Sequence, residues 1–305
     1  MTSAIQTQGL TRRFGRADAV RDLTMDVPEG GIFALIGPNG AGKTTTIKVL
    51  MNLLRPSAGS ARVLGVESTA LGVRELRRIG YVSENQRLPD WMSPRDLIRF
   101  CKPMYDTWDD ALAASLMQSL GLNTAAPLRS LSRGTRMKAA LLVSLGYRPD
   151  LVLLDEPFTG LDPLTRDELI RALLDASGDS RWTVLVSSHD IDEVERLADR
   201  VGFIDDGRLV FAESTASLLS RFRLVEAVTD DPSAVDRLRA QPDWILQETA
   251  GRTLRFVDTA HDRADATGRI SAVLPGAAIR ALPMPLRAIF VALARVRRVA
   301  PPEGI

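Results

Sequence analysis

The sequence predicts an α/β protein with a parallel central sheet, and three observations predict it. An apolar run that includes Ile32 and Phe33 ends at Gly37, and Gly42-Lys43-Thr44 then opens a stretch that reads as helix. Residues 151–154 and 183–187 are two further short, continuous apolar runs, the pattern of parallel strands covered on both faces. From about Glu84 to Tyr147 the apolar spacing turns helical, so the sheet carries a helical subdomain as an insertion.

Up to about Val82, short strands such as Ser60-Ala61-Arg62-Val63-Leu64 surround the Gly-rich loop and its helix, Thr44 to Met51. From Pro94 to Gly121 apolar residues fall at Leu97, Ile98 and Phe100, then at Leu112, Leu116 and Leu120, which predicts helix. Strand returns at Leu151-Val152-Leu153-Leu154 and at Thr183-Val184-Leu185-Val186-Ser187. Asp205-Asp206-Gly207, between Val201-Gly202-Phe203-Ile204 and Arg208-Leu209-Val210-Phe211, predicts a tight hairpin. After about Arg221 the pattern starts afresh: strand at 224–229, helix at 233–240, strands at 244–248 and 253–257, helix at 261–273 and strand at 278–282. The order β-α-β-β-α-β predicts a small C-terminal α+β domain of ferredoxin-like arrangement. Leu286, Ile289, Phe290 and Leu293 mark the inner face of a last helix, with Arg287, Arg295, Arg297 and Arg298 towards solvent. The expected domains are 1–220 and 221–305.

Composition narrows the classes. The chain has 305 residues, 45% apolar and 25% charged, enough for about two globular domains. A net charge of +1 gives nucleic-acid binding no support. A single cysteine, Cys101, forms no internal disulfide and suits a reducing compartment. The first ten residues lack the basic, then apolar, layout of a signal peptide, and no run of 18 apolar residues occurs. Any spanning of a membrane must fall to another chain.

Gly37-Pro38-Asn39-Gly40-Ala41-Gly42-Lys43-Thr44-Thr45 has the spacing of a phosphate-binding loop. Its glycines let successive backbone N–H groups face one concavity, and the following helix points its positive end at the same anion. Lys43 reaches β and γ oxygens, and the Thr44 hydroxyl suits Mg²⁺. A Gly-rich turn can also join strand to helix with no nucleotide present. Strand before, helix after and Gly-Lys-Thr in register favour the cradle. The loop alone says nucleotide and no more. Asp155-Glu156 closes the second apolar strand, where a free charge would be costly, so the pair reads as functional: Asp155 for the metal, Glu156 to polarise a water for attack on the γ-phosphate.

With these motifs in this order, the chain resembles the ATP-binding cassette of ABC transporters over about residues 4–215, with a P-loop NTPase core. The family signature Leu-Ser-Gly-Gly-Gln is matched by Leu131-Ser132-Arg133-Gly134-Thr135, the aspartate loop by Gly160-Leu161-Asp162, and the switch histidine by His189, one of two histidines in the chain. The other, His261, has no partner motif and reads as a surface residue. The resemblance implies that Ser132 and Gly134 receive the γ-phosphate of an ATP held by a second cassette, and that Phe14 stacks on adenine where the family commonly has Tyr. Two departures stand out. Glu84 occupies the place of the loop glutamine, adding negative charge near Mg²⁺, and Arg133 and Thr135 replace Gly and Gln in the signature.

Trp91-Met92-Ser93-Pro94-Arg95-Asp96-Leu97, Met104-Tyr105-Asp106-Thr107-Trp108-Asp109 and the ending Pro285-Leu286-Arg287-Ala288-Ile289-Phe290-Val291-Ala292-Leu293 are similar to the branch that pairs with separately encoded exporter-type membrane subunits. An importer subunit is the alternative branch. The resemblance thus implies an ATPase with ATP and Mg²⁺ as cofactors, a second cassette (identical or related) and separate transmembrane permeases as partners, and a place on the cytoplasmic face of the membrane. The rival readings are a soluble ABC protein, which would carry two cassettes or long coiled-coil insertions, a P-loop kinase, which would lack the Ser132-x-Gly134 turn, and a regulatory cassette that binds ATP without hydrolysing it. Glu156 and His189 argue against the last.

Overall fold

β1 (Ser3–Phe14) and β2 (Ala17–Pro28) alternate buried and exposed residues over much of their length, the period of a sheet covered on one face. They pair antiparallel, and with β4 (Ala58–Val63) and β5 (Val66–Glu67) form a sheet of order β2-β1-β4-β5. This is a computed structural model of the chain, and it describes residues 2–122, 125–178 and 182–299. The chain divides into two compact units, Met1–Ala212 and Glu213–Ile305.

The central sheet of the first unit has the order β10-β9-β3-β8-β7-β6. Its strands are β3 (Gly31–Ile36), β6 (Ile79–Ser83), β7 (Leu151–Asp155), β8 (Thr183–Ser188), β9 (Arg200–Asp205) and β10 (Arg208–Ser214). β9, β3, β8, β7 and β6 run parallel, and every residue of β7 and β8 is buried, as their unbroken apolar sequences require. Asp206 and Gly207, both at positive φ, make the tight hairpin between β9 and β10. Helix α1 (Lys43–Leu50) drives Ile47, Val49 and Leu50 into a core shared with Ile5, Leu10 and Leu23 of the antiparallel sheet and Leu35 and Leu153 of the central one. The carboxyl ends of β3, β6, β7 and β8 therefore share one edge, where open α/β sheets place their ligands.

Between β6 and β7 the chain is helical, after a short α2 (Val73–Leu76) that precedes the sheet strand. The stretch 94–121 is divided. α3 (Pro94–Cys101) starts on a capping box of Ser93 and Asp96, runs into a 3₁₀ turn containing Pro103, and α4 (Asp110–Ser119) starts anew with Asp109 accepting from the Leu112 N–H. Phe100, one of the apolar residues of that pattern, is 51% exposed. α5 (Arg133–Leu145) is buried along nearly its whole length, and α6 (Pro163–Gly178) and α7 (Ile191–Leu197) follow β7 and β8.

The second unit opens with α8 (Thr215–Arg221) and continues with β11 (Arg223–Val228), α9 (Ala234–Arg239), β12 (Trp244–Ala250), β13 (Thr253–Asp258), α10 (Ala266–Val273) and β14 (Ala278–Pro283). The sheet order β12-β13-β11-β14, antiparallel throughout, is the ferredoxin-like arrangement that the element order implies. Val225, Phe256, Trp244, Leu238 and Ile270 fill its core. α10 begins five residues later than its apolar pattern suggested, because Asp265 adopts a left-handed conformation (φ 56°) and caps the helix through the Gly268 N–H. His261 is no surface residue: its side chain is 18% exposed, with Nδ1 3.0 Å from the fully buried Asp258. α11 (Leu286–Val299) buries Leu286, Ile289 and Phe290 and exposes Arg287 and Arg295; the side chains of Arg297 and Arg298 lie outside the described residues. Among the described residues no helix is long and apolar enough to cross a membrane.

Candidate active site

The loop after β3 works because two glycines permit close packing. A Cβ on Gly37 would lie 2.1 Å from the Ile204 carbonyl oxygen, and one on Gly42 would lie 2.4 Å from that of Ala19, with Gly42 at φ +106°. The loop is thereby pressed against β9 and the start of β2, while Pro38, Asn39 and Gly40 stay exposed at its crest. The Ala41 N–H closes the turn on Pro38 O, and Lys43, Thr44 and Thr45 form the first turn of α1. Lys43, 5% exposed, donates to Gly37 O (2.7 Å) and Pro38 O (3.1 Å), and its ammonium lies 3.0 Å from Glu156 Oε1.

Thr44 Oγ1 donates to Asp155 Oδ1 at 2.8 Å, and Ser187 Oγ donates to the same oxygen at 2.8 Å. The parallel register that sets Asp155 opposite Ser187 brings this about. Ser187 Oγ also accepts the Glu156 N–H at 3.0 Å. A hydroxyl beside a buried carboxylate is a hard-oxygen pair of the kind Mg²⁺ takes along with phosphate oxygens and water, so the residues present fit that ion.

Glu156 leaves the strand at φ 51°, in the left-handed region, and its carboxylate is held at both oxygens. Oε1 faces Lys43, while Oε2 faces His189 Nδ1 (2.7 Å) and accepts from Thr159 Oγ1 (3.0 Å). Burial pushes this carboxyl up, but the His189 bond, the charge and hydrogen bond of Lys43 and the Thr159 bond outweigh it, leaving it below the ordinary glutamate value. The residues on either side of His189 are fixed in turn. Asp190 N donates to Ser188 Oγ, Ser188 Oγ donates to Glu193 Oε2 (3.0 Å), and Arg166 of α6 sits 3.0 Å from Glu193 and 3.3 Å from Asp190. Burial raises the Glu193 carboxyl against the pull of Ser188 and Arg166.

Of the remaining candidates, Ser132, Gly134, Asp162 and Glu84 lie around the start of α5, and Phe14 is not brought to them by any contact among the described residues. Ser132 caps α5, accepting from the Thr135 N–H at 3.1 Å. Gly134 abuts Thr165, where a Cβ would come within 2.6 Å of Cγ2, and Asp162 accepts from the Thr165 N–H (3.0 Å) and hydroxyl (2.7 Å). Those bonds hold the Asp162 carboxyl low. Glu84 donates its N–H to Asp155 O at 2.8 Å, but its carboxylate goes to Arg133. Phe14 stands 47% exposed on the β1–β2 hairpin, with the Arg12 guanidinium 4.6 Å from its ring centroid.

Fold and loop together define a P-loop nucleotide-binding protein. Residues 20–159 match the family described as ABC transporter. The daunorubicin/doxorubicin resistance ATP-binding protein DrrA of Streptomyces peucetius is 37% identical over 268 residues, covering 83% of this chain and 77% of that protein. The Nod factor export ATP-binding protein I of Ralstonia nicotianae is 34% identical over 269 residues, 83% and 81% of the two chains. A solved ATP-binding subunit of an ABC transporter superposes with a TM-score of 0.62 at 25% identity, over 70% of this chain and 90% of that one. The chain belongs to the ABC transporter family, as an ATP-binding subunit. It binds ATP, hydrolyses it, and couples that reaction to transport.

Proposed function

We propose that this chain drives export through separate membrane subunits, as relatives named for drug resistance and Nod factor export suggest. Two cassettes would enclose two ATPs head to tail, each between one chain's phosphate loop and the other's Ser132–Gly134 turn. The chain would sit at the cytoplasmic face, held there by its membrane partners.

The observation that carries the hydrolytic reading is that one buried carboxylate, Glu156, joins the loop lysine to His189. Loop N–H groups and Lys43 bind the β and γ phosphates, and Phe14 offers its ring to adenine. Thr44 and Asp155 would hold Mg²⁺, which would supply neutralisation of phosphate charge. Glu156, ionised at neutral pH, accepts the proton of the attacking water, and His189 and Thr159 keep its carboxylate oriented. Ser187 holds Asp155 and the Glu156 backbone in fixed relation. In a regulatory cassette without hydrolysis, a base so placed would have no task.

The test is ATP-driven association. Full-length chain with Glu156→Gln, which keeps shape and removes basicity, should go from monomer to dimer in sedimentation when Mg-ATP is added, and not with Mg-ADP. A chain that stays monomeric with saturating Mg-ATP would rule out the head-to-tail pair.

A further inference from the structure

Arg133 and Glu84, 49 positions apart in the chain, meet in space. Arg133, in the signature, and Glu84, in the glutamine's place, form an ion pair with Nη2 3.0 Å from Oε1. The guanidinium also lies over Gly160, which has φ +71° and where a Cβ would come within 3.0 Å of Arg133 Nη1. Glu84 is in turn anchored to the catalytic edge of the sheet through its N–H bond to Asp155 O. The Ser132-Arg133-Gly134 turn is therefore gripped from two sides. One grip is steric, Gly134 against Thr165, which Asp162 holds. The other is ionic and partly solvated, with side chains 44% and 34% exposed.

Each charge alone is unfavourable at this place. A lone carboxylate at position 84, where only the backbone N–H is tied to Asp155 O, would stand without a counter-charge. A lone arginine at position 133 would leave a long, mobile cation in the middle of a turn whose task is to aim N–H groups. Paired, the charges cancel and the arginine is tied down. We infer that Arg133 is a positioning residue: through Glu84 it fixes Ser132 and the first N–H groups of α5 relative to the chain's own catalytic edge, in the orientation that receives the nucleotide of a second copy. Anion attraction at a helix terminus is confined to its first turn, so the aim of that turn sets the strength of the contact. This inference rests on the head-to-tail reading above.

The experiment uses full-length chain carrying Glu156→Gln, with Mg-ATP-driven association followed by sedimentation at low and high salt. Arg133→Gln should weaken association by about two- to fivefold at low salt, the range of a partly exposed ion pair. Arg133→Lys, which keeps the charge, should recover most of that loss. High salt should shrink the difference between Arg133→Gln and its parent, since exposed pairs are screened. In a Glu84→Gln background Arg133→Gln should add little, because the pair is already broken. A purely steric role for Arg133 would show neither the salt dependence nor the coupling. Association by Arg133→Gln as tight as its parent's would overturn the inference, as would an equal loss with and without Glu84. If the parent chain itself fails to associate with Mg-ATP, the head-to-tail reading fails and the inference falls with it; a parent that associates while Arg133 has no effect sinks the inference alone.

Discussion

Lys43 and Glu156 show how much of the site lies in single side chains. Both are buried and their charges face each other, so removing either takes a counter-charge from its partner. If Lys43 serves the phosphates as proposed, Lys43→Ala would delete charge-assisted hydrogen bonds worth about 1.5–3 kcal/mol. Affinity for Mg-ATP should fall by about tenfold or more, at about 1.4 kcal/mol per decade. Calorimetry on folded full-length protein checks this, and unchanged affinity would mean the loop is not the cradle. The residues that the sequence exposes are those in local motifs: the loop, Asp155-Glu156 and His189. Ser187 and Thr159 escaped notice for different reasons. Ser187 lies 32 residues from Asp155 and meets it only through parallel strand register. Thr159 is three residues from Glu156 and bonds its carboxylate across a turn in which Glu156 is left-handed. Reading the ends of adjacent parallel strands as neighbours would have found the first; nothing in the residue types announces the second.

Among the elements, continuous apolar strands were the most legible, because burial on both faces leaves no room for another pattern. β7 and β8 fell where the sequence placed them. Helix ends were less legible, since caps decide them: Asp109 restarts the chain within 94–121, and Asp265 delays α10. Asp231, ahead of α9, is a half-buried case with a measurable consequence. Bonds from the Ser233 hydroxyl, from Arg237 and from the Ser233 N–H hold its carboxyl down to about 2. A folded value below the unfolded one contributes stability above the ordinary carboxylate range, and that contribution is lost as pH falls towards about 2. Asp231→Asn should therefore lower the Tm of the C-terminal unit at neutral pH and have little effect near the acid end. An equal effect across the whole range would show that the carboxylate's charge is not what matters.

At the scale of the molecule, every residue of the candidate site belongs to the first unit, while the second has its own sheet and core. We expect the second unit to govern pairing or regulation and to take no part in hydrolysis. α8 and the fully buried Phe222 belong with the second unit, so a cut should fall before them. A fragment of residues 1–214 should fold and bind Mg-ATP with an affinity close to that of the full chain. A well-folded fragment that cannot bind nucleotide would make the second unit part of the site. The sequence alone could order the motifs along the chain, but it could not show that Glu84 and Arg133 meet, because they lie 49 positions apart, across most of the helical insertion.

The central claim, that Glu156 is the base of an ATPase, is tested most directly by phosphate release from Mg-ATP with purified full-length wild type and Glu156→Gln side by side. Loss of a general base should lower turnover by about 10²–10⁴-fold while nucleotide binding is retained. Turnover equal to wild type in the Glu156→Gln chain would contradict the assignment.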